Sequence, residues 1–518
     1  MKTFLQRFGA FVLGVLCGFD RIRFRGSKRQ LCYPGGMESY LGAAGVLLKD
    51  YGRYAEATTV SLCKAIEASA KKAGLYEYLN SSDISKEETA LAIAARKGIT
   101  QGPIAVLGCV EPCRVMRVRG NKETGKLEPR LESGKCLHYY HYALDPVFGL
   151  RYTRLQSWFP LTMHVGINGR EWLAQQMTKA GIKFVKKDNC FTWVEDFSAA
   201  QKLLDEQLTT AWPELLDGWA LNNHPWLAAL LKCAIPYYWS VQEGEYATDI
   251  VFRSAEDLAR LYPLWVHQAY ATLQSGDLLR FMNYRVRADG RPAGRVLGEV
   301  KTTINELLEG TCVRHRILNN LLKMYDKMSS VLRLETMLID VRHFKVFRTT
   351  EGDEGGPMSY LRLRKGVADM QRRAEVSRAI NERYAEALAT VEEKQTLAEV
   401  TKDLGQRTHW KGRSVRALNP LSPEDVSLLE AVSRGEFMIS GFRNSDLREI
   451  LMPAAEDVKE QKRQAAKVGR LLRLLRAHGL IAKVSTTNRY QLTDKGRATT
   501  SVLLPARQAN TKHLLKAA

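Results

Sequence analysis

The chain has 518 residues, 77 of them Lys or Arg and 56 Asp or Glu, for a formal net charge of +21. An apolar fraction of 45% permits a substantial core and excludes a disordered or fibrous chain, and the length suits about two to four domains. The positive excess favours a polyanionic partner, most simply nucleic acid, and nine cysteines scattered without a disulfide framework suit a reducing cytoplasm.

Met1–Arg7 is basic and Phe8–Phe19 is apolar, which imitates a signal peptide, but no A-x-A cleavage site follows. Asp20–Arg25 instead alternates charged and apolar residues. Phe11–Arg25 is therefore expected as a core segment ending in a strand, and no run reaches the length of a membrane span. Met37–Gly74 carries apolar residues at helical spacing. Ser85 with Glu88 three residues later fits a capping box for a helix over Lys86–Lys97. From Gly98 the pattern turns to short β-branched segments, Pro103–Cys109 and Val115–Arg119 among them.

Asn168 begins a helix running to Ala180, closed by Gly181, and Ile182–Val185 returns to strand. Phe197–Trp212, His224–Cys233 and Glu256–Gln274 read as helices, and Val296–Thr303 and Cys312–Arg316 as strands. The mixture predicts an α+β fold with a central antiparallel sheet. A Gly-rich loop at Thr349–Pro357 marks a boundary before a long amphipathic helix, Val367–Val400, and a basic linker, His409–Pro423. The expected division is 1–97, 98–348, 349–421, 422–507 and a basic tail 508–518.

Leu322–Leu338 concentrates the chemistry. It reads as two strands joined at Met328–Ser330. By the period-2 rule Lys323, Tyr325 and Lys327 share one face of the first strand, and Arg333 and Glu335 one face of the second. Leu332, Leu334, Thr336 and Leu338 take the opposite face. Lys, Tyr, Lys, Arg and Glu on one side of a hairpin suit phosphate handling, metal binding or a nucleophilic hydroxyl. The competing reading is a strand pair whose charged face is simply solvated or ion-paired.

Tyr325-Asp-Lys327 followed by Leu332-Arg-Leu-Glu335 resembles the YDK…R-x-E strand pair of the replication initiator (Rep) proteins of rolling-circle plasmids and filamentous phages. The resemblance implies a DNA-nicking activity with Tyr325 as nucleophile through a phosphotyrosyl link. It also implies a divalent Mg or Mn ion on Glu335, with Lys327 and Arg333 steadying phosphate. The His-hydrophobic-His metal pair of many such proteins is absent, and His138 and His141 are the nearest substitutes. Tyr139, Tyr140 and Tyr142 stand beside them as rival nucleophiles. The chain is also similar to a group of bacterial proteins of about this size, a likeness that carries no chemistry.

Within Ser422–Arg507, three helical segments precede a hairpin, Leu480–Val484 and Arg489–Leu492. The phrase LLRAHGLIAKV…NRYQLTDKGR resembles the third helix and wing of a winged helix-turn-helix domain. In the third helix Val468, Leu472 and Leu475 are spaced to face a core, while Arg463, Lys467 and Arg470 fall on another face suited to a major groove. Arg489 on the wing suits phosphate or the minor groove. Residues 411–518 hold 20 Lys+Arg against 10 Asp+Glu, which favours DNA over a protein partner.

Cys109, Cys113, Cys136, His138 and His141 form a window of soft metal ligands, but their spacings match no standard zinc knuckle and a structural zinc is not expected. Asp249 and Glu299, with Glu335, offer a carboxylate set for Mg²⁺ or Mn²⁺. The expected protein is a cytoplasmic DNA-binding protein of a mobile element or plasmid that nicks DNA, with no membrane association and homo-oligomerisation left open. The alternatives are a winged-helix transcriptional regulator whose central domain senses a ligand, and a metal-dependent nuclease or transposase without a covalent intermediate.

Overall fold

The computed structural model describes residues 1–225, 227–231, 235–284, 286, 299–307, 310–350, 355–390, 402–420, 422–434, 437, 441–455, 457–485, 487–493, 495–497, 499–500 and 503–504. The expected strand start at 296–298, the helix end at 232–233, the helix portion 391–400, the loop 351–354 and the tail 508–518 lie outside the described residues.

Alternating apolar and polar residues build one large sheet. Its strands are β1 (Val12–Ser27), β2 (Tyr76–Leu79), β3 (Gly102–Gly120), β4 (Leu127–Asp145), β5 (Gly149–Gln156) and β6 (Met163–Asn168). After a separate hairpin, β7 (Phe184–Lys187) and β8 (Cys190–Val194), come β9 (Tyr238–Phe252), β10 (Val300–Leu307), β11 (Gly310–Ile317), β12 (Asn320–Lys327) and β13 (Val331–Met337). The order is β10-β11-β12-β13-β9-β1-β6-β5-β4-β3-β2. Every neighbouring pair is antiparallel except β2 with β3. The fold is thus α+β with a mixed sheet.

The order reveals two similar halves. In the first, β1 is followed by helices and then by the meander β3–β6, whose last strand returns to pair with β1. In the second, β9 is followed by helices and then by the meander β10–β13, whose last strand returns to pair with β9. β1 and β9 pair with each other and join the halves. Each half has its own apolar cluster, one including Phe24, Tyr139, Val165 and Trp212, the other Ile250, Trp265, Leu332, Leu334 and Tyr384.

Two expectations change. The boundary at residue 97 does not separate two bodies, because β1 is a central strand hydrogen-bonded to both β6 and β9. Pro103–Cys109 and Val115–Arg119 belong to one 19-residue strand, β3. Pro112 within it is tolerated because β2 pairs only with Val106–Cys109, so β3 is an edge strand at Pro112 and the missing N–H faces no ladder. Other expectations hold. Ser85 accepts from the Glu88 N–H at the start of the helix Lys86–Lys97, the N-cap half of the expected capping box, and Asn168 accepts from the Arg170 and Glu171 N–H groups to start the helix Gly169–Lys179.

The helix Met370–Leu388 packs on the second half. Its Asn381 Nδ2 donates to Tyr246 O, Thr248 Oγ1 and Leu334 O, and its Oδ1 accepts from Thr336 Oγ1 at 2.6 Å. This fixes one face of β9 and β13 as the helix face. The C-terminal region contains the helices Pro423–Val432, Asn444–Leu451 and Val458–Ala477 and a hairpin of Ile481–Lys483 with Tyr490–Leu492, around an apolar cluster of its own. No helix among the described residues is long and apolar enough to cross a membrane.

The β12–β13 turn places Met328 and Ser329 at φ 56° and 54°, with Ser330 N–H bonded to Lys327 O at 3.3 Å. Left-handed backbone costs a residue bearing a Cβ about 1–2 kcal/mol, and hairpin turns of this hand favour glycine at the second position. Ser329→Gly should therefore raise the unfolding free energy by about 0.5–1 kcal/mol after the entropy cost of glycine, measured by urea denaturation. A loss of stability would contradict the turn assignment.

Candidate functional site

The site begins at an irregularity in the longest central pair. Phe19 pairs with Tyr246 and Ile22 with Gly244, so Asp20 and Arg21 on β1 stand opposite Glu245 alone on β9. Such a bulge breaks the alternation and re-aims a side chain. On the adjacent strands the register sets Tyr325 opposite Arg333, Lys323 opposite Glu335 and Asp249 opposite Arg333. The polar residues of the β12–β13 hairpin do share one face, as the alternation implied. That face is not solvated: Arg333 is 0% exposed, Glu335 1%, Lys327 3% and Tyr325 8%.

The cover is the β7–β8 turn together with the start of the helix Gly169–Lys179. Arg333 grips Asp249 with two nitrogens, Nε to Oδ1 at 2.5 Å and Nη2 to Oδ2 at 2.8 Å. Its Nη1 reaches Asp20 Oδ2 at 2.7 Å and its Nη2 the Asn189 carbonyl at 2.7 Å. Arg170 pairs with Asp249 Oδ2 at 2.9 Å. Asn189 donates to Asp20 Oδ1 and accepts from Asn168 Nδ2 at 2.8 Å. Burial raises the Asp249 carboxyl, but Arg170 and Arg333 outweigh it and hold it below its ordinary value.

Beside this network, Tyr325 Oη donates to Glu335 Oε2 at 2.5 Å, and Lys323 Nζ donates to Glu335 Oε1 at 2.5 Å and Glu245 Oε1 at 3.2 Å. Burial, and then the neighbouring Glu335 charge, push the Tyr325 hydroxyl well up. Burial would raise Glu335 too, but Lys323 prevails and lowers it. Burial and the Glu335 charge raise Glu245. Two adjacent carboxyls are thus driven in opposite directions, the pattern of paired acid and base sites.

Asp20, Glu245 and Glu335, from three neighbouring strands, each offer an oxygen within 4.8 Å of the others. Hard oxygen donors of this kind suit Mg²⁺ or Mn²⁺. Glu245 also lines a cavity of about 760 Å³ whose wall includes Arg21, Tyr142, Tyr152, Asp188 and Asn189. Six carboxylates line it, those of Glu87, Asp145, Glu171, Asp188, Glu243 and Glu245, against the two guanidinium groups of Arg21 and Arg23.

The remaining candidates fall elsewhere. Lys327 pairs with Asp188 on the cover at 3.0 Å, so it fastens the turn rather than facing the carboxylates. Asp249 is consumed by Arg333 and Arg170. Glu299 is exposed and precedes β10, three strands from Glu335. His138 and His141 lie on β4, five strand steps from β13, roughly 24 Å at the usual strand spacing, so neither joins Glu335. Separated by three residues on a strand, they also point to opposite faces. His141 packs edge-on against His224 at 4.6 Å between ring centres, and His138 lies beside Cys113 and Cys136. Tyr139 donates to Glu67 and Tyr140 to Glu111, both at 2.8 Å, whereas Tyr142 reaches the cavity wall.

In the C-terminal region Arg463, Lys467 and Arg470 are exposed, while Val468, Leu472 and Leu475 are buried, as their spacing required. Arg489 is half-buried and donates to the Gly441 carbonyl at 3.0 Å, tying its hairpin to the body. Sequence reasoning missed Asp20, Arg170, Asn189 and Glu245. The one local signal was the Asp188-Asn189 turn; the others are set by register and by the bulge.

No protein-family model, curated protein or solved structure matches the chain.

Removing one partner from a buried ion network leaves the other charge uncompensated, at a cost of about 3–5 kcal/mol. Asp249→Asn should show a loss of this size in urea denaturation. Asp249→Leu with Arg333→Met should not recover the loss, because it leaves the buried Arg170 and Asp20 each without its opposite charge. Asp249 and Glu335 are lowered in the folded state, so their stabilisation is present above the ordinary carboxyl range, about pH 4, and is lost as pH falls through their folded values. The urea midpoint should therefore drop between about pH 5 and pH 3 in the wild type and drop less in Asp249→Asn.

Proposed function

We propose that the protein is a DNA-binding, strand-nicking protein of the replication-initiator type, with its reactive centre at Tyr325, Glu335, Lys323 and the Asp20–Glu245–Glu335 carboxylates. The observation that carries this reading is the chain Tyr325–Glu335–Lys323: a hydroxyl hydrogen-bonded to a carboxylate that a third group orients. Nucleophile, base and orienter in contact are the arrangement covalent catalysis requires. In the nicking step the Tyr325 oxygen bonds to phosphorus as the phosphorus–oxygen bond to the leaving nucleotide breaks, and the Tyr325 proton passes to Glu335. A divalent ion on the carboxylates would supply charge neutralisation for the phosphate. Because Tyr325 is 8% exposed, DNA reaches it only when the β7–β8 turn, held by Lys327 and Arg333, withdraws.

The C-terminal helices and hairpin, read as a winged helix-turn-helix domain, supply the DNA contact, with Arg463, Lys467 and Arg470 towards the groove. The exposure of all three on one helix supports this. A second reading draws on the cavity. Its volume and its mixed aromatic and charged wall, Tyr142 and Tyr152 among the aromatic residues, suit a winged-helix regulator whose central sheet binds a ligand.

With Mn²⁺ and single-stranded DNA, the wild-type chain should form a denaturant-resistant DNA adduct that Tyr325→Phe does not form. The substitution removes one hydrogen bond, at a stability cost of about 1–2 kcal/mol. Cleavage without an adduct selects a metal-dependent nuclease. No cleavage, with intact DNA binding, selects the regulator.

Duplex binding by the full chain should weaken with salt. If three cations of the C-terminal helix touch phosphates, they contribute a slope of about −2 to −3 in log affinity against log salt. Reversing charge at Arg463, Lys467 and Arg470 together should abolish that part while the helical circular dichroism persists. Unchanged binding and slope would exclude the groove assignment.

A further inference from the structure

The β3–β4 pair carries a second set of ligands that the central site does not use. Cys113 on β3 and Cys136 and His138 on β4 each offer a ligand atom within 4.8 Å of the other two. We propose that these three side chains form a binding site for a thiophilic divalent cation of the zinc class, with two sulfurs and one imidazole nitrogen as protein ligands and an open fourth position.

Three observations support the set. The two sulfurs lie 3.4 Å apart without a disulfide between them. This is well beyond a covalent S–S length of about 2.05 Å and short of the sulfur–sulfur separation of a tetrahedral zinc site, about 3.8 Å for bonds of about 2.3 Å. His138, 2% exposed, is held by the Cys136 carbonyl at Nδ1, 3.1 Å away. Such a bond fixes the tautomer of a metal-bound histidine and leaves Nε2 as the ligand. Cys113 is half-buried, so the site opens to solvent on one side.

The window of soft ligands was visible in the sequence, and its spacing argued against zinc. The fold sorts that window differently. Cys109 is buried with its sulfur towards the Ser81 carbonyl, and His141 points through the opposite face. What remains is contributed by two strands paired over 18 registered positions, from Gly102–Leu144 to Gly120–Leu127, so the ligands are brought together by pairing and not by a local loop. A knuckle spacing has no reason to appear. A cation there would cross-link the longest strand pair among the described residues.

The test uses the full chain, reduced with a phosphine and stripped of metal. Titration with Co²⁺ should give one equivalent bound with a thiolate-to-cobalt absorption band that Zn²⁺ then removes. Cys113→Ser and Cys136→Ser should abolish the band, His138→Gln should weaken binding at least about tenfold, the scale of losing even an outer-shell partner, and Cys109→Ser should leave the band intact. Circular dichroism checks that each variant folds. In the wild type, Zn²⁺ should protect Cys113 and Cys136 from alkylation while Mg²⁺ does not, a readout that needs no variant. Absence of the band in reduced wild type, a band undiminished in Cys113→Ser, or alkylation of both cysteines unaffected by Zn²⁺ would overturn the proposal.

Discussion

The Arg333 side chain is the constraint on which the central sheet depends. From one position on β13 it reaches β9 through Asp249, β1 through Asp20 and the β7–β8 turn through the Asn189 carbonyl. Asp20 belongs to the first half of the sheet and Arg333 to the second, 313 residues away. A buried ion network is weak grounds for stability, since apolar residues of similar volume often serve as well or better. Its value lies in fixing one arrangement. Three acceptors at set angles allow one register of β1 on β9, one height for the turn and one direction for the Asp20 carboxylate. The approach of Asp20, Glu245 and Glu335 to within 4.8 Å of one another follows from that register.

The same geometry shows what the sequence could and could not reveal. The two faces of the β12–β13 hairpin were legible because period-2 alternation is local, and Leu332 and Leu334 do enter the core while Arg333 and Glu335 turn away from it. That the polar face would be sealed was not legible, because its cover comes from Asn189 and Arg170. Nor were Asp20 and Glu245, which converge through a bulge that interrupts alternation. The doubled architecture was hidden by unequal strand lengths: β3 and β4 run 19 residues each, their counterparts β10 and β11 only eight. Helix starts were well marked by side-chain caps, and there Ser85 and Asn168 were read directly.

The histidine pair illustrates a rule about spacing. Residues three apart share a face on a helix, so His138 and His141 would make a metal pair there. On a strand they part to opposite faces. β4 therefore sends His141 through one face against His224 and His138 through the other towards the thiols. Cys136, two residues before His138 on the same strand, shares its face by the same rule, while Cys113 comes from the neighbouring strand, where spacing along one strand carries no information.

The two candidate cation sites differ in hardness and in depth, and the difference bears on how the sheet could be used. Asp20, Glu245 and Glu335 offer only oxygen, are crossed by the Lys323 ammonium and sit below a covering turn. An ion entering there must compete with a cation the protein already supplies. Burial and the Glu335 charge raise Glu245, so protons compete with an ion there as the pH falls, and displacement of Lys323 favours occupancy. Cys113, Cys136 and His138 offer two sulfurs and an imidazole nitrogen with no ammonium among them. The first set therefore has the properties of a site that fills when substrate arrives with its own phosphate to help hold the metal, and the second those of a site that fills at rest. The proposed nicking reaction needs the former, because an ion bound permanently between Glu245 and Glu335 would take the electron pairs that Glu335 needs to accept the Tyr325 proton.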